Sequence, residues 1–377
     1  MVNHKVIFFG LLNHQHILNF SSAVKKYLGY EIIGINNNPN YLPEKKKEAE
    51  SIYSQIYNVK RSNLPFLDKL QKVISSVLYF LFVDKNVDFV LFHYLSKFVY
   101  PLARISKFRG IKTSVFVFGS DFKQADDSYR KYIGKVFGII DSIVCDSTDM
   151  LEEMKEAYPQ FSTKMNCCFF GSPIVDELLQ DKGTSEQSKK ILMLCENNKR
   201  IVMCGYNGCK EQNHFRIIES LKLFSKEIHF LFPMTYSCDD IYRNSIRDYC
   251  DKYNLSYTIL DHFLDNEEWK NYIFATDIFV HMQLSDAFSS CVAENLLLGN
   301  VVINSEWINY PDLENAGAYY ITANFDNLQT IFGAILSDFY FYHEKSKTNR
   351  HIIERLKGLE YTVNKYWSAY FDSIIVS

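Results

Sequence analysis

Two carboxylates, Asp286 and Glu294, stand eight positions apart in the stretch SDAFSSCVAENLLLGNVVINS, residues 285–305. Phe288, Ser289 and Ser290 lie between them, and Gly299-Asn300 follows in the way helices usually end. A helix from about Ser289 to Leu298 would offer unpaired backbone N–H groups and the positive end of its dipole, a place for phosphate. Ala287, Ser289 and Ser290 are small enough to let a ligand reach the backbone. Glu294 falls one turn beyond Ser290 on the same face, where a carboxylate can accept from a ribose diol. Diphosphate on the helix end with ribose on Glu294 makes a nucleoside-diphosphate site. The competing reading has Asp286 capping the helix and Glu294 on a solvated face.

A second group opens the other half of this region. Gly205 and Gly208 follow an apolar run directly, and Lys210 precedes a helical segment. A glycine-rich turn can cradle phosphate and a lysine supplies a point charge. The spacing is neither GxGxxG nor a P-loop, so dinucleotide or ATP chemistry is not indicated. His214 is a candidate helix cap or phosphate contact. His262, with Phe263, ends another apolar run. In the N-terminal half, His14 and His16 follow the first strand next to Gly10, as candidates for acceptor binding or for a base. Ser120 and Asp121 close a further strand after Gly119, and Asp121 is the leading acid/base or acceptor-hydroxyl contact. His93, within an apolar run, reads as a core histidine. Asp126-Asp127 and Asp239-Asp240 sit at helix starts and read as caps.

These residues need elements to hold them. Apolar runs at 5–10, 31–37, 88–95, 113–121, 141–147 and 166–171 alternate with amphipathic segments such as 16–29 and 66–83. The pattern predicts βαβ units and a parallel sheet. It breaks at 178–199 (LLQDKGTSEQSKKILMLCENNK), which is polar and predicts a linker. It restarts at 200–208 and continues through 228–234, 257–263, 277–283, 301–305 and 318–322. The expectation is an α/β chain of two doubly wound, Rossmann-like domains facing across a cleft. They cover 1–177 and 200–347, and a long C-terminal helix within 348–377 is expected to pack back on the first. Ligands in such sheets bind at the carboxyl ends of the strands.

The chain has 377 residues, enough for two domains of ordinary size. A net charge of -3 gives no electrostatic footprint for nucleic acid. The 9 cysteines form no CxxC pair, which argues against a zinc site or a disulfide framework. They read as small buried side chains in a reducing compartment. The start MVNHKVIFFG is too short in apolar residues for a secretion signal, so a cytosolic protein is expected. The longest greasy segment, VISSVLYFLFV (73–83), covers about half a bilayer. EKKKEAE (44–50) reads as a solvated helix face. Lys69, Lys72, Lys107, Arg109 and Lys112 are candidates for peripheral contact with an anionic membrane.

The spacing in the opening stretch resembles the Glu-x7-Glu motif of the GT-B glycosyltransferases, whose usual form is Glu-Gly-Phe-Gly followed by Leu-Glu-Ala. Asp286-Ala287-Phe288-Ser289 and Ala293-Glu294-Asn295 stand at those places, and LLLGNVVINS resembles the segment that follows. Asp replaces the first Glu, and Ala and Ser replace both glycines. FGSD (118–121), DSIVCDS (141–147), DFVLFHYL (88–95) and CGYNGCKEQNH (204–214) resemble further landmarks of that family in the same order. HFLFPMTYS (229–237) is similar to the Val-Pro-Met-x-Tyr of the acetamidofucosyl transferases of common-antigen biosynthesis. The resemblance spans about residues 1–370.

What the resemblance implies is a hexosyltransferase that takes a sugar from a nucleoside-diphosphate donor to a glycan or lipid-linked saccharide in bacterial surface polysaccharide synthesis. It implies ribose on Glu294, a donor-sugar role for Asp286, diphosphate near Lys210 and the base beside His262. No apolar-Asp-x-Asp motif for a metal-dependent GT-A mechanism is present, and no cofactor is expected. The stereochemical course stays open: an inverting route needs a base, with Asp121 or His14 as candidates, and a retaining route does not. Two alternatives stand beside it, a sugar-nucleotide 2-epimerase of the same fold and a non-catalytic sugar-nucleotide- or glycan-binding subunit.

Overall fold

Strands that are apolar on both faces build both sheets. In the computed structural model, which describes residues 4–37, 43–59, 65–83, 86–194, 199–286 and 288–376, the chain divides into two units. One unit comprises Met1–Gly171 with Leu359–Ser377, and the other Ser172–Gly358.

The first unit holds seven strands: β1 (Lys5–Gly10), β2 (Glu31–Asn36), β3 (Gln55–Asn58), β4 (Phe89–His93), β5 (Lys112–Val117), β6 (Ser142–Cys145) and β7 (Met165–Cys167). They form one parallel sheet in the order β3-β2-β1-β4-β5-β6-β7. Burial on both faces is why runs such as Val6–Phe9 and Phe89–Phe92 show no polar alternation. Helices Pro65–Phe82, Val99–Phe108, Asp127–Ile139 and Thr148–Ala157 cover one face. Helices Gln15–Ala23 and Pro43–Ile52 cover the other together with the C-terminal segment. There Trp367, fully buried, lies 4.5 Å from the Phe20 ring and donates to the Phe169 carbonyl at 3.1 Å. The Tyr370 and Ser114 hydroxyls meet at 2.5 Å.

The second unit holds β8 (Arg200–Cys204), β9 (Ile228–Pro233), β10 (Tyr257–Leu260), β11 (Ile278–His281), β12 (Val301–Ser305) and β13 (Ile321–Ala323). This sheet is again parallel, in the order β10-β9-β8-β11-β12-β13. In each sheet the strand order reverses at one point, between β1 and β4 and between β8 and β11. Loops leaving the carboxyl ends there diverge and leave a crevice for a ligand.

Two expectations about chain organisation differ from the structure. Residues 178–199 do not form a bare linker. A helix Pro173–Gln180 runs into them, and a helix Ser185–Ile191 follows, opened by a Thr184–Gln187 capping box. The second helix is held by Lys189, which pairs with buried Asp277 at 2.6 Å, and both belong to the second unit. The second, SEQSKKI, is mostly polar, which hid it. The long C-terminal helix is two: Arg350–Lys357 ends at Gly358, whose backbone is extended, and Leu359 begins a new helical segment. Gly358 pairs with Ser172 in a β-bridge, and a Cβ on it would lie 2.5 Å from the Glu354 carbonyl oxygen.

Eight described cysteines are free, and Cys145, Cys168, Cys204, Cys250 and Cys291 are buried. Burial pushes the Cys250 thiol up to about 12. Cys195 lies outside the described residues.

Candidate functional site

The helix Ser290–Leu298 starts just beyond the carboxyl end of β11, at the reversal point of the second sheet. Residues Cys291 to Leu297 are all buried, since the helix is enclosed in the unit rather than lying on its surface. Its far end is fixed by Gly299 at φ +76° and by buried Asn300, whose amide donates to the Ile273 carbonyl at 3.0 Å and to Asn295 Oδ1 at 2.8 Å. This anchoring aims the other end outward. The first helical hydrogen bond runs from the Ala293 N–H to the Ser289 carbonyl. The N–H groups of Ser290, Cys291 and Val292 therefore meet no acceptor among the described residues. The buried Ser289 hydroxyl has no partner either. Phe288 holds a left-handed backbone, φ +65°, uncommon for a bulky residue. Ala287 lies outside the described residues.

Asp286 fixes this turn. Its carboxylate accepts from the Ser289 N–H at 2.9 Å, the Tyr310 hydroxyl at 2.6 Å and the Tyr206 hydroxyl at 3.2 Å. Those donors come from the loops after β11, β12 and β8, so one side chain ties three loops together. Burial and the Asp286 charge push both tyrosine hydroxyls well up, which keeps them neutral donors. The expected catalytic or donor-sugar role for Asp286 thus meets a carboxylate already bonded to three donors; the N–H it accepts from is that of Ser289, before the first helical position, so it holds the turn and does not cap the helix. Tyr310→Phe should loosen the turn and cost about 1 kcal/mol of stability without unfolding the unit, readable by thermal denaturation. An unchanged melting temperature would show that the Tyr206 and Ser289 bonds suffice.

Glu294 is nearly fully buried, one turn into the helix. Trp269 donates its indole N–H to Oε2 at 2.7 Å, and no other donor among the described residues reaches the carboxyl. Burial pushes the carboxyl up to about 7, and the Trp269 bond pulls the other way. A solvated face residue is therefore excluded: Glu294 is a desolvated carboxyl with one oxygen free of donors.

The loop after β8 packs beside this turn. Gly205 has φ +66°, and its N–H goes to the Val280 carbonyl; the Gly208 N–H goes to the Tyr236 carbonyl. A Cβ on Gly208 would fall 2.1 Å from Cys238 Cβ. Both glycines thus serve close packing, and neither N–H is available as the expected phosphate donor. Lys210 is exposed on the same loop, with its ammonium 5.6 Å from the Tyr242 ring centre. His214 departs furthest from expectation. It is fully buried between Phe232 and Tyr242, its Nδ1 is 3.2 Å from the Tyr242 hydroxyl, and burial pushes it down to about 4. A neutral core histidine there cannot meet a phosphate. His262 is exposed beyond β10, the edge strand two places from β8.

The first unit gathers its candidates at the ends of β1, β4 and β5. Gly10 closes β1, and a Cβ on it would lie 2.9 Å from His93 Cβ. His93 is buried against the rings of Phe8 and Phe20, and burial pushes it down to about 3. His14 caps the helix Gln15–Ala23 through its backbone. It is exposed, with its ring 5.3 Å from that of His16. Ser120 is exposed. Asp121, expected to lead acid/base work, is buried instead. Its Oδ2 accepts from the Leu95 N–H at 2.8 Å and Oδ1 from the Phe118 N–H at 3.0 Å. Burial pushes it up to about 6 against those bonds. It braces the loops after β4 and β5, where Tyr129 also donates to the Leu95 carbonyl.

Sequence reasoning missed Tyr206, Trp269 and Tyr310. Among the described residues, no three His, Cys, Asp or Glu side chains are grouped to hold a metal ion.

No protein-family model matches the chain, and no curated protein matches it in sequence. Solved structures do match over the full length. A glycosyltransferase from Rickettsia africae aligns at 16% identity and TM-score 0.77, covering 100% of this chain and 99% of that one. Anabaena Alr3699/HepE in complex with UDP aligns at 12% and 0.72, covering 97% and 100%. The UDP-GlcNAc 2-epimerase of Neisseria meningitidis bound to UDP-GlcNAc aligns at 12% and 0.62, covering 96% and 100%. At these identities the likeness establishes the fold: two Rossmann-like domains with parallel sheets of seven and six strands, as in GT-B glycosyltransferases.

Proposed function

We propose that the chain is a glycosyltransferase that takes a sugar from a nucleoside-diphosphate sugar and delivers it to a glycan or lipid-linked saccharide. The observation that carries this reading is the start of the helix Ser290–Leu298. Among the described residues, three N–H groups and a hydroxyl without partners and a carboxyl with one oxygen free of donors lie in the first turn and a half of a helix at the reversal point of a doubly wound sheet. UDP bound to the Anabaena protein of like fold supports the donor class.

In the reaction the anomeric C–O bond to phosphate breaks and the nucleoside diphosphate leaves with the electron pair. The acceptor hydroxyl oxygen forms the new bond to the anomeric carbon, and its proton passes to a base in an inverting route or to the departing phosphate in a retaining one. Charge gathers on the departing diphosphate, where the helix N–H groups and dipole stabilise it, with Lys210 as a nearby cation. Glu294 holds the ribose, Phe288 and the serines border the sugar, and His262 borders the base. For an inverting route His14 is the base we assign, because it is exposed while Asp121 has both oxygens bonded within the fold. His16, whose ring is 5.3 Å from that of His14, Ser120 and Gly10 are assigned to acceptor binding. Assembly of bacterial surface polysaccharide in the cytosol is the setting we propose.

Incubation with UDP-, GDP- and TDP-sugars, with and without saccharide acceptors, followed by mass spectrometry, tests this reading. Release of nucleoside diphosphate and addition of one sugar to an acceptor is the expected result. A 2-epimerised sugar nucleotide without acceptor would establish the epimerase reading that the Neisseria neighbour favours. Tight nucleotide binding without turnover would make the chain a binding subunit.

A further inference from the structure

The helix Pro65–Phe82 buries its serines and exposes its aliphatic residues. Ser75, Ser76 and Phe80 are buried, whereas Val73, Ile74, Leu78 and Leu81 are 41–48% exposed and Phe82 81%. Positions 74, 78, 81 and 82 share one face by helical spacing. Arg109, beyond the end of helix Val99–Phe108, donates to the carbonyls of Phe80 and Val83 at 2.5 and 2.6 Å. That clamp ties the ends of the two helices together, and Phe108, 88% exposed, stands at the tied end. An exposed apolar stripe of this kind marks an interaction site.

Charge identifies the occupant. Residues 69–120 contain eight Lys or Arg and two Asp, in a chain of net charge -3. Of the two, Asp88 is bonded to the Lys5 N–H and His4. Arg104 and Lys107 are exposed and meet no carboxylate among the described residues. Lys107 lies within charge range of Lys164, which the Asp141 carboxylate also faces. Of the other cations named from the sequence, Arg109 is spent on the helix clamp and Lys72 pairs with Asp68 at 3.0 Å. The Lys69 side chain lies outside the described residues.

We infer that this surface, the outward face of helix Pro65–Phe82 with Phe108 and the cations around it, docks the protein on an anionic lipid bilayer. The apolar stripe enters the headgroup boundary while Arg104 and Lys107 meet lipid phosphate. Among the described residues no helix is long and apolar enough to cross a membrane, so the contact is peripheral. The inference does not rest on sugar transfer.

Co-sedimentation of the full chain with phosphatidylcholine vesicles, with and without phosphatidylglycerol, tests it. Binding should require the anionic lipid and weaken as salt rises. The double variant Phe82→Ser/Phe108→Ser and the pair Arg104→Glu/Lys107→Glu should each lower partitioning by about tenfold or more, with near-UV circular dichroism unchanged. No binding to either vesicle, or equal binding by both variants, overturns it. So does a dimer that Phe82→Ser/Phe108→Ser dissolves, since the face would then belong to a second copy.

Discussion

Asp121→Ala is expected to destabilise the first unit by about 3 kcal/mol, chiefly because the Leu95 and Phe118 N–H groups lose their acceptor in a site closed to water. Relief of the carboxylate's own burial offsets part of that cost, which is why the figure is not larger. Asp121→Asn keeps one acceptor oxygen and should cost about half as much. Amide hydrogen exchange locates the effect: protection should fall at 94–96 and 118–122 in both variants, more in the alanine. If Asp121 were instead the acid or base of the reaction, both variants would abolish turnover with little change in exchange.

Glu294→Gln should change how the second unit responds to pH. Burial holds the folded carboxyl at about 7, above the unfolded value of about 4.3. Between those values the unfolded chain has released its proton and the folded chain has kept it. Stability therefore falls as pH rises through that window, by roughly 4 kcal/mol at most, and levels off above it. The glutamine variant should lose that slope in the second unit. Asp121, pushed up to about 6, contributes in the same direction in the first unit and should be unaffected. Binding moves oppositely, because a ribose diol donates to the ionised carboxylate. Nucleotide affinity should rise with pH up to about 7 and be about tenfold weaker and pH-independent in the variant. Identical pH–stability curves for wild type and variant would remove Glu294 as the titrating group.

Strands buried on both faces were legible in the sequence because parallel sheets write themselves as unbroken apolar runs, as in VIFFG and FVLFH. The helix Ser290–Leu298 was legible for a local reason too, since Gly299 stops it in a left-handed conformation. Gln55–Asn58 was missed because it is a short edge strand that is partly exposed. The break at Gly358 was missed because the flanking sequence is helical on both sides.

The site was half legible. Spacing located Glu294 and the helix start, which are local features. It said nothing of Tyr206, Trp269 and Tyr310, which lie 80, 25 and 24 positions from the carboxylates they reach and meet them only through loop packing. His214 read as a helix cap or phosphate contact because burial by a neighbouring strand leaves no mark in the local sequence. A weak signal did exist: Trp269 and Tyr310 carry donors on aromatic rings close behind strand ends, where buried acceptors need partners.

The central claim is that Glu294 and the helix start bind a nucleoside diphosphate. Thermal stability of the wild type and Glu294→Ala against UDP, GDP, TDP, CMP and NAD tests it most directly. A ligand at one hundred times its dissociation constant should stabilise by about 2.7 kcal/mol. One nucleoside diphosphate should stabilise the wild type, the variant should lose most of the effect, and CMP and NAD should do little. Stabilisation by none of them, or an equal shift in Glu294→Ala, would contradict it.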